Sequence, residues 1–158
     1  EYASKPEISE GLVAKTKSGG YSFLPGNQIV PVNPANLVKK EKYGTIPDYL
    51  LIEKPETFTW KIFVDTPGRK RFDISYSYQN NSNPAPEIIL ATANQKISVF
   101  AKPTGKTVGE PNNDWIIDNF SSNRIGEINF PEAGFYEIEM QIIPSRNDNL
   151  KFQWIWAE

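Results

Sequence analysis

The sequence contains no cysteine and no histidine in its 158 residues. These two absences exclude disulfides, thiolate zinc sites, cysteine nucleophiles and Ser-His-Asp triads. Any catalysis would have to rest on carboxylates, lysine, tyrosine or a cofactor. Exported proteins can also be free of cysteine, so this absence does not locate the protein.

Long apolar runs and a strong charge imbalance are also missing. No stretch approaches the roughly 18 apolar residues of a transmembrane helix. The 17 basic and 19 acidic side chains give a formal net charge of -2, which leaves no basic footprint for nucleic acid. The N-terminal EYASKPEISEGL is not a signal peptide and is expected to start a trimmed or a mature chain. Membrane-spanning and nucleic-acid-binding functions are therefore disfavoured.

The residues that are present favour β-structure. Aromatic residues reach 13%, and 13 prolines and 10 glycines supply turn signals. Apolar and polar residues alternate with period two in four long segments, at 58–64, 72–78, 136–142 and 150–156. Shorter candidate strands lie at 21–24, 28–32, 87–92, 95–101 and 125–130. About ten strands with frequent turns predict an all-β fold, an antiparallel β-sandwich of jelly-roll topology.

A similar corner joins two pairs of predicted strands. One copy is IFVDTPG, ending at Gly68, and the other is INFPEAG, ending at Gly134. Proline removes a ladder donor, and glycine supplies a backbone angle that other residues avoid. The chain is therefore expected to turn sharply into an adjacent antiparallel strand. Two such corners suit two Greek-key halves of one jelly roll.

Three segments carry a family resemblance: TFTWKIFVDTPGRKRFDISYSY, IGEINFPEAGFYEIEMQI and NLKFQWIWAE. They resemble the apolar strands, Pro-Gly corners and closing strand of galactose-binding-like jelly rolls. The pattern is similar to many carbohydrate-binding modules and to the C-terminal β-sandwich of bacterial α-L-fucosidases. It spans about residues 57–156. Residues 1–50 give no comparable match and are expected to complete one sandwich domain over 1–158, because the other strands alone would leave open edges.

The resemblance implies a non-catalytic carbohydrate-binding or accessory module of an exported bacterial glycan-degrading enzyme. The expected partners are an oligo- or polysaccharide and a catalytic domain in the same chain. The expected location is extracellular, periplasmic or at the cell surface. The alternative is a structural or protein-binding β-sandwich with no sugar ligand, and the sequence does not separate these two functions.

Sugar sites use aromatic rings as platforms beside amide, carboxylate or guanidinium groups, so aromatic residues outside the core phase are of interest. Trp60, Trp154 and Trp156 are in phase with their apolar neighbours and are predicted to be buried. Trp115 follows the polar loop GEPNND, with Asn113 and Asp114 beside it. It is the leading candidate platform, and the alternative is that it covers the end of the core.

Two further loops supply candidate sugar contacts. Tyr43 and Tyr49 bracket GTIPD and would form a second wall, although Tyr49 can equally begin the strand YLLI. Asn147 lies in SRNDN, before the last strand, where the resemblance implies that an asparagine contacts the sugar. The alternative for Asn147 is ordinary turn chemistry.

Catalytic and metal signatures are weak. Glycoside hydrolysis needs two carboxyl groups across a cleft, whereas Glu137 and Glu139 share a strand face that is expected to meet solvent. The sequence predicts neither an enzyme nor a cofactor. Oxygen ligands for a structural calcium are present, but no Asp-x-Asp-x-Asp spacing supports one.

Overall fold

The computed structural model describes residues 12–13, 21–23, 37–38, 49–80, 82–105, 108–110, 115–117, 119–146 and 150–158. Thirteen β-strands lie within these ranges. The long strands are β5 (Glu56–Val64), β6 (Gly68–Ser77), β11 (Ser121–Phe130), β12 (Gly134–Ile143) and β13 (Leu150–Ala157). The shorter strands are β1 (Leu12–Val13), β2 (Tyr21–Phe23), β3 (Leu37–Val38), β4 (Tyr49–Ile52), β7 (Glu87–Thr92), β8 (Gln95–Phe100), β9 (Val108–Glu110) and β10 (Trp115–Ile117). The predicted all-β class is confirmed.

Two sheets form a sandwich. The first sheet has the order β1-β5-β12-β7-β8, and the second has the order β11-β6-β13-β4-β3, with β2 also paired to β13. Strands β9 and β10 form a separate hairpin. The order β5-β12-β7-β8 facing β4-β13-β6-β11 is the strand order of a jelly roll, as predicted. The strand pairs are antiparallel except β1, which lies parallel to β5.

The core fills the space between the sheets with side chains from alternate positions. Trp60 and Phe58 of the first sheet stack with their ring centroids 5.9 Å apart. The ring centroid of Phe152, in the second sheet, lies 5.2 Å from that of Phe58. The prediction that Trp60 is buried is confirmed, since it is 0% exposed. Burial of aromatic rings of this size contributes strongly to the stability of a sandwich.

The two Pro-Gly corners cross between the sheets, so the expectation that each turns into an adjacent strand is wrong. Strand β5 pairs with β12, and β6 pairs with β11. The two corners therefore lie side by side, with Gly134 opposite Val64 and Gly68 opposite Phe130. A local turn motif does not specify whether the next strand joins the same sheet or the facing one.

The strands described before residue 50 pair with the same two sheets. Strand β1 extends the first sheet, while β2 and β3 extend the second. The candidate strand at 28–32 lies outside the described residues. Among the residues described, no helix has the length and apolarity needed to cross a bilayer.

Candidate functional site

The outer face of the second sheet carries two tryptophans that were predicted to be in the core. Trp154 and Trp156 of β13 are half-buried. The residues that follow each of them, Ile155 and Ala157, are 0% exposed. Because successive side chains of a strand point to opposite faces, both tryptophans lie on the outer face. The prediction of burial is therefore wrong for these two residues.

A β-bulge explains why the faces are exchanged. The β13–β6 register shifts between Phe152 and Trp154, so that Gln153 is an extra residue on β13. Leu150 and Phe152 face the core before the bulge, and Ile155 faces it afterwards. A shift of one residue moves every following side chain to the opposite face.

An ion pair lies beside Trp156 on the same face. Arg124 of β11 is opposite Asp73 of β6, and Asp73 is opposite Trp156. The Arg124 Nε lies 2.5 Å from the Asp73 Oδ1, and the two side chains remain 51% and 34% exposed. The indole Nε1 of Trp156 donates to the Glu158 carboxylate over 3.4 Å. This part of the outer face therefore combines the Trp156 ring with a carboxylate and a guanidinium that solvent can reach.

Buried polar groups lie next to Trp154 in the strand ladder. Ser75 is opposite Trp154 in the ladder, and its hydroxyl donates to the Gln153 Oε1 over 2.8 Å. Both partners are buried. Two aromatic residues at positions i and i+2 of one strand stand about 7 Å apart along it. The two rings and the ion pair could therefore contact adjacent units of one ligand.

Tyr49, predicted as part of a sugar-binding wall, is in the framework of the second sheet. It begins β4, as the strand alternative required, and it is 5% exposed. The ring packs against Phe120 with centroids 5.6 Å apart, and the Lys151 Nζ lies 5.0 Å from its centroid. Because both neighbours cover the ring, Tyr49 offers no open face for stacking in this arrangement.

The other predicted site residues lie at or beyond the limit of what is described. Trp115 begins β10, whose backbone pairs with β9, with Trp115 opposite Glu110. Asn113, Asp114, Tyr43 and Asn147 lie outside the described residues. The loop site around Trp115 therefore stays a prediction.

In the described part of the chain, the carboxylates do not form a cluster. Glu137 and Glu139 of β12 are exposed, as expected, on the outer face of the first sheet. Within the described ranges, no group of three His, Cys, Asp or Glu side chains is placed to hold a metal ion.

Sequence reasoning missed Trp154, Trp156, Asp73 and Arg124 as site residues. A signal was available in LKFQWIWA, because both phases are apolar after Gln153. Ile155 and Ala157 could have continued the core phase only if one extra residue preceded them. The side chains alone did not indicate which of the two phases is buried.

Comparisons with known proteins agree with this architecture at the level of the fold. No protein-family model and no curated protein matches the sequence. Among solved structures, the chain is similar to the insecticidal crystal protein Cry2Aa, with a TM-score of 0.66, 17% identity, and coverage of 92% of this chain and 22% of that one. It is also similar to an α-L-fucosidase from Vibrio sp. strain EJY3, with a TM-score of 0.54, 17% identity, and coverage of 94% and 24%.

A third similar structure is a module of comparable length. It is the carbohydrate-binding module CBM6cm-2 from Cellvibrio mixtus lichenase 5A, solved in complex with cellotriose, with a TM-score of 0.57 and 10% identity. The match covers 87% of this chain and 95% of that one. The chain thus spans about a quarter of the first two proteins, at 22% and 24%. The fold is a β-sandwich like that of carbohydrate-binding modules.

Proposed function

We propose that the protein is a non-catalytic carbohydrate-binding or accessory module of an exported bacterial glycan-degrading enzyme such as an α-L-fucosidase. The observation that carries this proposal is the pair of half-buried tryptophans, Trp154 and Trp156, on an outer sheet face beside the Arg124–Asp73 pair. A pyranose packs its C–H face on an indole ring, while carboxylate and guanidinium groups bond its hydroxyls. Similar structures that are named as carbohydrate-binding modules support the same function.

The charges beside the tryptophans favour a neutral glycan. Asp73 and Arg124 neutralise each other, so this ion pair attracts neither sign of ligand strongly. The carboxylate still has free acceptor capacity, and the guanidinium still has donors, for a pair of neighbouring hydroxyls. Binding should therefore depend little on salt, because it makes no net charge pairing with the ligand. The proposed ligand class is a neutral oligo- or polysaccharide outside the cell or in the periplasm.

Alanine variants of the two tryptophans test the proposal. A glycan array identifies a ligand, and calorimetry then compares the protein with Trp154→Ala and Trp156→Ala. Each variant should weaken binding at least tenfold, which corresponds to about 1.4 kcal/mol. Phe135→Ala is the matched control, because Phe135 is a 56% exposed aromatic residue on the first sheet. Binding that survives both tryptophan changes, or an array with no ligand, would refute the proposal.

The loop around Trp115 remains a second proposed contact region. Trp115→Ala in the same titration distinguishes this loop from the sheet face. A ligand bound at the loop should lose affinity in Trp115→Ala, and a ligand bound at the sheet face should lose affinity in the Trp154 and Trp156 variants. Asn113, Asp114, Tyr43 and Asn147 belong to this second proposal. Incubation with chromogenic glycosides should give no turnover, because the proposed module is non-catalytic.

A structural or protein-binding module with no sugar ligand is the second candidate. Phe135 is exposed on the outer face of the first sheet, and its ring packs edge-on to Phe63 with centroids 5.0 Å apart. Exposed aromatic pairs are typical of surfaces that pack against another domain. Under this function Phe135→Ala weakens association with the catalytic domain, and the tryptophan variants change nothing.

A further inference from the structure

The bulge in β13 lies where this strand exchanges one neighbour for another. Leu150–Phe152 pair with β4, and Ile155–Ala157 pair with β2. On the opposite side β6 runs along both parts, with Phe152 opposite Tyr76 and Trp154 opposite Ser75. Gln153 is therefore the one residue inserted on β13 between these two opposed pairs.

The side chain of Gln153 is anchored. Its Oε1 accepts the Ser75 hydroxyl over 2.8 Å, and the two residues are 3% and 4% exposed. A polar pair this deeply buried is unfavourable to break, because each group would lose its partner where water does not replace it. The bond thus fixes the extra residue at this point of the strand.

The position of the extra residue decides which side chains face outward. If Gln153 were instead an ordinary paired residue of the ladder, the alternation that begins at Leu150 and Phe152 would continue into the core through Trp154 and Trp156. Because Gln153 is an extra residue in a bulge, Ile155 takes the core position and both tryptophans face outward.

We propose that Ser75 and Gln153 are positioning residues that hold Trp154 and Trp156 on the outer face. Neither residue needs to touch a ligand, since each acts through the bulge. The consequence for binding rests on the carbohydrate-binding function proposed above. The consequence for the exposure of the tryptophans holds whether or not a glycan binds.

Removing the serine hydroxyl is the first test. Ser75→Ala should lower iodide quenching of tryptophan fluorescence and weaken binding of the array-selected oligosaccharide at least fivefold. Ser75→Thr keeps a hydroxyl and should restore both measurements. Ser77→Ala is the matched control, because Ser77 is a buried serine on the same strand and face that receives its hydrogen bond from Gln79. It should leave both measurements unchanged.

Deleting Gln153 is the second test. The shortened strand alternates regularly, with Phe152 and Ile155 inward and both tryptophans outward. Iodide quenching should therefore stay at the wild-type level after the deletion, and also after the deletion combined with Ser75→Ala. Near-UV circular dichroism and thermal melts establish that each variant is folded.

Two outcomes would overturn the positioning role. One is a folded Ser75→Ala protein with wild-type quenching, and the other is a deletion variant in which the tryptophans become shielded. An array without any ligand would defeat the proposed function alone, because the quenching measurements need no glycan. Wild-type binding by a Ser75→Ala protein whose quenching is reduced would count against the tryptophans as the glycan site and would leave the positioning role standing.

Discussion

Gly68 and Gly134 occupy corresponding places in the two corners, with φ angles of +137° and +144°. A Cβ atom added at either position meets no atom within 4 Å. Space is therefore not what requires glycine there. The requirement comes from the backbone, because side chains other than that of glycine disfavour these angles.

Alanine at the corner should strain the backbone without a clash. Gly134→Ala is expected to lower the free energy of unfolding by about 1–3 kcal/mol, and Gly68→Ala by a similar amount. Urea unfolding at neutral pH measures both. Glu132→Ala, a change of an exposed side chain in the same corner, should stay within about 0.5 kcal/mol of wild type. Equal stability of the glycine variants and this control would contradict the backbone explanation.

A side chain links an edge strand of the first sheet to an edge strand of the second. Strand β8 is the edge of the first sheet and β11 is the edge of the second. The Gln95 Nε2 donates to the Asn129 carbonyl over 2.5 Å, and the Gln95 Oε1 accepts the Asn129 N–H over 3.0 Å. The carboxamide thereby occupies backbone groups that an edge strand would otherwise offer to another chain.

Removal of this carboxamide should act at one point of the β11 edge. Gln95→Ala is expected to accelerate hydrogen exchange of the Asn129 amide and to reduce the free energy of unfolding by about 1 kcal/mol. Gln141→Ala on β12 is the control and should leave Asn129 exchange unchanged. Exchange at Asn129 that is equally slow in both variants would show that the side chain does not protect the edge.

The connection after β8 is tied to the second sheet by tyrosines whose rings lie in the core. The Tyr76 hydroxyl accepts the Lys102 N–H over 2.9 Å, and the Tyr78 carbonyl accepts the Thr104 N–H over 2.7 Å. Burial raises the pKa of the Tyr76 phenol above its usual value near 10, and the hydrogen bond from Lys102 partly opposes this rise. The folded molecule therefore favours the neutral phenol.

This pKa shift predicts how the stability of the whole molecule depends on pH. The folded pKa of Tyr76 lies above the unfolded pKa, so its contribution is complete below about pH 10 and is lost as the pH rises through the folded value. Denaturant unfolding from about pH 8 to about pH 11, a range that includes the ordinary pKa of a tyrosine side chain, should show a decline that Tyr76→Phe reduces. Tyr136→Phe should retain the decline. A decline of the same size in the Tyr76 variant would assign it to other groups.

The sequence alone determined most of the long strands and most of the core. Period-two alternation located four of the five long strands, while β11 was expected only as a shorter strand at 125–130. It identified Phe58, Trp60, Ile62 and Val64 as core residues, all of which are 0% exposed. Alternation identifies the core residues of β5 correctly because this strand is regular, so that the same set of alternate side chains faces inward along its length. The two Pro-Gly corners likewise indicated a jelly roll.

Only the tertiary structure decided which sheet each corner leads to and which way the last two tryptophans face. The first depends on pairing between β5 and β12 and between β6 and β11, partners far apart in the sequence. The second depends on one inserted residue, Gln153, whose position is set by Ser75 of β6 and by the change of neighbour from β4 to β2. Local periodicity carries no information about such contacts, because a strand with apolar residues in both phases fits either face until its partners fix the register.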